Sequence, residues 1–289
     1  MSLNIAQLQE WIGSTETLED VLTATPVAAM SATIDRQDPP STAGTELPLL
    51  WHWLYFLPLH RHSELGPDGH AERGGFLPPV PLPRRMWAGG RLQFHQPLRV
   101  GDNVTRVSRI ADVSAKEGRS GTLAFVRVRH EISNGGGLAV TEDHNIVYRN
   151  MPAPGDPPPV PPQAPGQSAW SRKITPDPVL LFRYSALTFN GHRIHYDRSY
   201  VTDVEGYPGL IVHGPLIATL LLDLLRRNLP DAWVVGFSYR AVSPVFDIES
   251  FSVCGAPETA GGSVRLWAEN ARGGLVMEAT AELSPREER

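Results

Sequence analysis

Cysteine is nearly absent. Cys254 is the single one in 289 residues, which excludes an intrachain disulfide and fits a reducing compartment. Long apolar runs are missing as well: none reaches the roughly 18 residues that a helical membrane span requires. The opening MSLNIAQLQEWIG has neither the basic region nor the continuous apolar core of a secretory signal. These absences predict a cytoplasmic protein with no membrane attachment. There is no run of basic residues and no interleaving of basic with aromatic ones, so with a net charge of -5 nucleic acid is not expected as a partner. What the chain has instead is apolar substance, 41% of its residues, enough to build one large or two modest domains.

Residues 3–23 carry apolar positions at helical spacing and predict a covering helix, broken at Gly13 and resumed from Thr17 to Leu22. Residues 27–33 are short and apolar, consistent with a strand. Residues 48–57, PLLWHWLYFL, are apolar nearly all round and predict a buried helix central to the first half. A stretch rich in Gly, Pro and His follows over residues 60–83, leading into Arg84-Arg85-Met86-Trp87-Ala88-Gly89-Gly90. Read as a loop, that segment offers two guanidinium groups and flexible glycines that could close over an anion. From residue 91 to 149 alternating segments mark an antiparallel sheet. Residues 151–166 then hold eight prolines and little that can pack, a semi-rigid linker.

After the linker the pattern returns: an irregular polar lead, an apolar helix over residues 216–225, then four strand-like segments. Smaller details recur too, since Asn134-Gly135-Gly136-Gly137-Leu138 matches Asn270-Ala271-Arg272-Gly273-Gly274-Leu275. A buried helix wrapped by an antiparallel sheet, present twice, predicts an α+β double hot dog, with domains at 1–150 and 173–289 joined by a linker at 151–172.

Chemistry concentrates in the second half. Asn190, His192, His195 and Asp197 fall within eight residues, and His213-Gly214-Pro215 opens the apolar helix. Pro215 suits a first helical turn, which places the helix N-terminus at Gly214. Its unpaired N–H groups and positive end can hold a carbonyl oxygen that gains negative charge. In the first half no histidine precedes the predicted helix, so one active site per chain is expected, built by the C-terminal half and walled by the N-terminal half. His192-x-x-His195 with no cysteine nearby is too weak a pattern to predict a metal.

The run Asn190-x-His192-Arg193-Ile194-His195 followed by Val212-His213-Gly214 resembles the motif of the MaoC-like, or type 2, hydratases and dehydratases, a hot-dog family. The fuller form, Thr188-Phe189-Asn190-x-His192-x-Ile194-His195-x-Asp197, is similar to the hydroxyacyl-thioester dehydratase type 2 branch and to mesaconyl-C4-CoA and itaconyl-CoA hydratases. The resemblance implies that the family histidine falls on His195, its aspartate on Asn190, its asparagine on His192 and its proline on Arg193. It implies Gly214 as the N–H donor to the thioester oxygen. Asn190 departs from the pattern because an amide cannot take a proton, which moves acid/base work to His195 or His192. His192, Asp197 and His213 are supporting candidates. Arg193, Arg183, Arg84 and Arg85 are candidates for a second substrate carboxylate or for CoA phosphates.

The expected activity is therefore water addition to a short dicarboxylic 2-enoyl-CoA. No cofactor is expected beyond the CoA thioester substrate, and the expected assembly is a homodimer. The alternatives are a 3-hydroxyacyl-thioester dehydratase of fatty acid synthesis, a hot-dog thioesterase and, from another class, a non-catalytic acyl-thioester-binding protein.

Overall fold

The computed structural model describes residues 3–118, 121–151, 160–258 and 262–284. Ten strands form a single antiparallel sheet. The first half contributes α1 (Ile5–Gln9), β1 (Thr15–Val21), α2 (Ala24–Thr33), β2 (Arg84–Phe94), β3 (Asn103–Gly118), β4 (Gly121–Asn134) and β5 (Gly137–Arg149). The second contributes β6 (Trp170–Ile174), α3 (Pro178–Leu187), α4 (Gly214–Asn228), β7 (Trp233–Ala241), β8 (Phe251–Pro257), β9 (Ser263–Asn270) and β10 (Leu275–Ser284). Strand order is β1-β3-β4-β5-β2-β7-β10-β9-β8-β6. Exchanging each first-half strand with its second-half counterpart reproduces the same order, so the duplication read from the sequence is a two-fold pattern centred on the β2/β7 pair.

That seam explains Gly89-Gly90. Arg84–Gly90 is the start of β2 and not a loop, and Gly90 pairs with His144 on β5 and with Tyr239 on β7. A Cβ at Gly89 would lie 2.4 Å from the Tyr239 carbonyl oxygen, and one at Gly90 would lie 2.7 Å from the Tyr239 hydroxyl. The glycines let the two halves close on each other. They do not lend flexibility.

α4 is the wrapped helix. Every residue from 216 to 225 is buried, Pro215 occupies its first turn, and Arg226 and Arg227 sit in its last turn where cations favour the helix dipole. It packs against β6, β8, β9 and β10. Among the described residues the first half has no equivalent. Residues 48–57 form only one 3-10 turn, Trp51–Leu54, flanked by Leu50 at φ 68° and Phe56 at φ 53°. Left-handed backbone on both sides stops a helix, whatever the apolar content. A cavity of about 360 Å³ lies between this turn and the C-terminal half of α4, lined in part by Pro48, Trp51, Leu222 and Trp233.

Three further expectations fail locally. Residues 24–33 are helical because Ala24, Ala28, Ala29 and Ala32 favour helix over strand. Residues 15–21 form a strand on β3 whose side chains alternate between half-buried and exposed, a period of two and not of 3.6. Of the linker expected over 151–172, residues 152–159 lie outside the described residues. Its end is bound to the second half: the Leu275 N–H donates to Pro162 O (2.7 Å), the Ala164 N–H to Gly273 O (2.9 Å), and Trp170–Ile174 pairs with β8. No helix among the described residues is long and apolar enough to cross a membrane.

Candidate active site

Asp177 caps α3 by accepting the Leu180 N–H (2.7 Å), and the helix ends at Thr188. Phe189 then takes φ 50°, and the Asn190 N–H donates back to Ser185 O at 2.8 Å. This reversal throws residues 190–197 across the N-terminus of α4. Ile211, just ahead of that helix, fastens the loop with both backbone groups: its N–H donates to Ile194 O (3.0 Å), and its carbonyl accepts from His195 Nδ1 (2.7 Å).

Because a carbonyl oxygen only accepts, His195 carries its proton on Nδ1 and presents the Nε2 lone pair. The ring is buried, and burial lowers its pKa to about 4, so it is neutral. It stacks on His213 with ring centroids 3.7 Å apart at 18°. Two charged imidazoles could not sit so close. His213, fully buried as the residue that caps α4, bonds Ser185 Oγ through Nε2 at 2.8 Å, and burial holds it well below its usual range. Next in the chain, Gly214 faces open space: an added Cβ would meet nothing within 4 Å. The first N–H groups of a helix have no intrahelical partner, which here leaves those of Gly214 and Leu216, since Pro215 has none and the Ile217 N–H donates to His213 O (3.1 Å).

Asn190 shapes the loop, since its Oδ1 accepts the His192 N–H (3.0 Å). His192 is part-buried, lies 5.5 Å from His195 edge to face, and is pushed down to about 2 by burial and then by His70. Asp197 does not orient an imidazole. Its oxygens accept from Arg193 (2.8 and 3.0 Å), Ser199 (2.9 Å) and the Tyr200 N–H (3.1 Å), while Arg198 pairs with Asp247.

The four arginines separate clearly. Arg193 spends its guanidinium on Asp197, on Pro67 O (2.9 Å) and on the Tyr200 face (4.2 Å). Arg84 is held by the Glu205 carboxylate (3.2 Å), by Glu205 O (2.7 Å) and by the Tyr207 face (4.6 Å). Both expectations of a free anion-binding fork are corrected, because neighbouring acceptors already fill those forks. Arg183 is exposed on α3. Arg85 lies near enough to the cluster for its positive charge to lower the pKa of His70, His192 and His144.

Two residues absent from the sequence reading join the site from the first half. His70 packs on His192 with centroids 4.0 Å apart, and its Nδ1 bonds Asp68 Oδ2 at 2.9 Å. The ligand atoms of Asp68, His70 and His192 lie within 4.8 Å of one another, so among the described residues these three, and not His192 with His195, are the group with the spacing of metal ligands. Asp68-Gly69-His70 is a visible signal inside the Gly- and Pro-rich stretch, but only the fold puts it beside residue 192.

A continuous double sheet, with a neutral imidazole stacked at the open N-terminus of its one wrapped helix, defines a hydro-lyase of the enoyl-thioester hydratase and dehydratase class. The chain belongs to the hydroxyacyl-thioester dehydratase type 2 family, whose model matches residues 50–247. It is 46% identical over 282 residues to a mesaconyl-C(4)-CoA hydratase of Chloroflexus aurantiacus, covering 97% of this chain and 99% of the relative. Among solved structures it superposes on a MaoC-like dehydratase with a TM-score of 0.71 at 14% identity, covering 96% of this chain and 99% of that one. It also superposes on a Mycobacterium tuberculosis protein with a double hotdog fold (TM-score 0.57, 15% identity, 94% and 96% covered). At such identities the structures speak for the fold alone, which is a double hot dog.

Proposed function

We propose that the protein adds water across the double bond of a short dicarboxylic 2-enoyl-CoA, of which mesaconyl-C4-CoA is the type. The observation that carries this reading is the His195 tautomer beside the open end of α4. Water attacks C3 only as the thioester carbonyl becomes enolate-like, so a donor is needed where that charge appears, and the Gly214 N–H supplies it. His195 Nε2 takes a proton from the water as its oxygen bonds to C3. The π electrons move to C2 and the thioester oxygen, and the imidazolium then returns the proton to C2. The NH2 of Asn190, whose Oδ1 is committed to the His192 N–H, is left to hold the water by its oxygen.

The acyl group is argued from charge. Arg85 is the expected arginine whose charge is felt by His70 and His192, and a guanidinium near that cluster suits a free carboxylate beyond the thioester. The 46% identity to a mesaconyl-C(4)-CoA hydratase agrees with it. The rival reading, a long-chain acyl substrate, draws on the largely apolar cavity beside the far half of α4. Leu222 is eight residues along from Gly214, about 12 Å at 1.5 Å per residue.

A panel of mesaconyl-C4-CoA, crotonyl-CoA and a long-chain enoyl-CoA decides between them, followed by loss of the enoyl-thioester absorbance. Arg85→Met should lower kcat/KM for mesaconyl-C4-CoA by about 10- to 100-fold, the value of a charged hydrogen-bonded pair, and leave crotonyl-CoA within about threefold. Preference for the long-chain thioester, or an Arg85→Met loss shared equally by both short substrates, would overturn the dicarboxylate assignment.

A further inference from the structure

A water that gives one proton to His195 still carries a second hydrogen, and an acceptor for it aims the oxygen lone pair at C3. Asn190 Oδ1 is not available, because it is bonded to the His192 N–H at 3.0 Å. Asp197 is turned away onto Arg193, Ser199 and Tyr200. Neither of these two side chains of the second half is free to be that acceptor, and His192, the other candidate there, is itself covered by a ring of the first half, His70, at 4.0 Å between centroids.

The loop of the first half reaches the motif loop, with His70 packed on His192, the residue next to His195 in the cluster, and it is built to stay there. The Gly66 N–H donates to His70 O (2.7 Å), and Asp68 Oδ1 accepts the His70 N–H (3.0 Å), which closes residues 66–70 into a tight turn. The turn is bonded to the motif loop by the Arg193 N–H on Asp68 O (2.9 Å) and the Arg193 guanidinium on Pro67 O (2.9 Å). Gly69, at φ 86°, packs so closely that an added Cβ would fall 1.9 Å from Gly191 O. His70 and Asp68 are partly covered, with side chains 20% and 29% exposed. An ionised carboxylate only accepts, so the 2.9 Å contact puts the His70 proton on Nδ1 and leaves Nε2 as a lone pair, fixed in one tautomer.

We propose that His70 is a further catalytic residue, accepting the second hydrogen of the attacking water at Nε2, with Asp68 as the positioning residue that fixes its tautomer. The inference rests on the hydratase reading above. In it the first half completes the acid/base equipment of the second. Atoms balance without any other reactant: one water proton goes to His195 and back to C2, the other stays on the oxygen that becomes the 3-hydroxyl, and His70 ends as it began.

The test is steady-state hydration of crotonyl-CoA and mesaconyl-C4-CoA by the full chain, with melting temperatures as a check on folding. His70→Ala should lower kcat by about 100-fold with KM within about threefold, as loss of a group that orients a reactant does. His70→Gln, which keeps an acceptor oxygen, should recover at least tenfold of that. Asp68→Ala should reproduce most of the loss, and the double variant should be no worse than His70→Ala, because the two act as one unit. Adding Asn190→Asp to His70→Ala should restore activity at least tenfold by returning an acceptor to the loop.

A His70→Ala kcat within twofold of the parent would overturn the inference. Losses at Asp68 and His70 that simply multiply would do the same. So would bound divalent metal in stoichiometric amount together with inactivation by chelator, which would make Asp68, His70 and His192 a metal centre instead. If His70→Ala does not fold, His70→Gln and Asp68→Ala carry the same comparison. His195→Ala run in parallel separates the two levels: full activity there removes the hydratase mechanism itself, whereas its loss with His70→Ala unaffected removes only the present inference.

Discussion

Lowering the pH reads the state of His195 directly. A solvated imidazole with a pKa near 6.5 is only about one-tenth deprotonated at pH 5.5, so a base of that kind would lose about tenfold in kcat/KM from pH 7.5 to 5.5. His195 is held at about 4 by burial, which outweighs the raising effect of its bond to Ile211 O. The sign follows: the reactive form is the neutral ring, and a lowered pKa carries that form to lower pH. Activity at pH 5.5 should stay within about 1.2-fold of its value at pH 7.5, with the acid limb centred near 4. The same burial makes the fold acid-labile. His130, His144 and His195, lowered to about 3, 4 and 4, stay neutral when folded but take protons at about 6.5 when unfolded, so stability is full above 6.5 and is lost as pH falls toward 4. At pH 5.5 each removes about 1.4 kcal/mol, or about 4 together, a large share of an ordinary domain's stability. The assay is therefore a rapid mix from pH 7.5 into each test buffer, with initial rates read before unfolding, which tryptophan fluorescence reports alongside. An acid limb near 6.5 in protein that is still folded would refute the assignment of a buried neutral His195 as the base.

Two further outcomes concern what holds the site in place. Asp223, 4% exposed on α4, accepts from Arg36 (2.8 Å), Arg172 (3.1 Å) and Arg227 (2.6 Å), tying the first half and β6 to the wrapped helix. Asp223→Ala leaves three guanidinium groups facing each other and should cost about 3–5 kcal/mol in urea unfolding, and an unchanged midpoint would dismiss the network as a clamp. Gly90→Ala puts a methyl 2.7 Å from the Tyr239 hydroxyl and 2.9 Å from Asp143 O at the seam, and should lower stability by about 1–3 kcal/mol. Melting temperatures equal to the parent's would show that β2 and β7 can part without penalty.

In the second half the wrapped helix and the four strands after it were legible, because the strand segments are rich in β-branched and aromatic residues and the last hairpin turn carries Asn and Gly, whereas β6 and α3 were not. The Asn270 side chain accepts the Arg272 and Gly274 N–H groups (both 2.9 Å), the kind of local bond that marks a turn in any context. The start of α4 was legible for a similar reason: Pro215 after Gly214 is a local signal. Where the sequence misled, the deciding contacts were distant. Apolar content in residues 48–57 speaks for burial and not for helix, and the left-handed Leu50 and Phe56 are set by tertiary packing. Arg84–Gly90 looked like a loop because its glycines answer to a strand some 150 residues away, Trp233–Ala241. Asp68 and His70 were missed for the same reason, since the residue that gives them meaning, His192, lies more than 120 positions further on.

Duplication accounts for the way labour is divided between the halves. Each half brings five strands to the common sheet, but among the described residues only the second has a wrapped helix, and with it the N-terminus at Gly214 and the stacked pair His195 and His213. In place of a wrapped helix of its own, the first half puts the 3-10 turn Trp51–Leu54 and a cavity against the C-terminal half of α4, where a second helix would compete for the same core. Its chain between that turn and β2 carries the 66–70 turn across to the motif loop, where Arg193 binds it. An arginine stands at residue 193, where the resemblance has proline, because a bare ring could bond neither Asp197 nor the Pro67 carbonyl. The substitution that looked like a substrate contact is thus the fastening that lets one half reach the chemistry of the other.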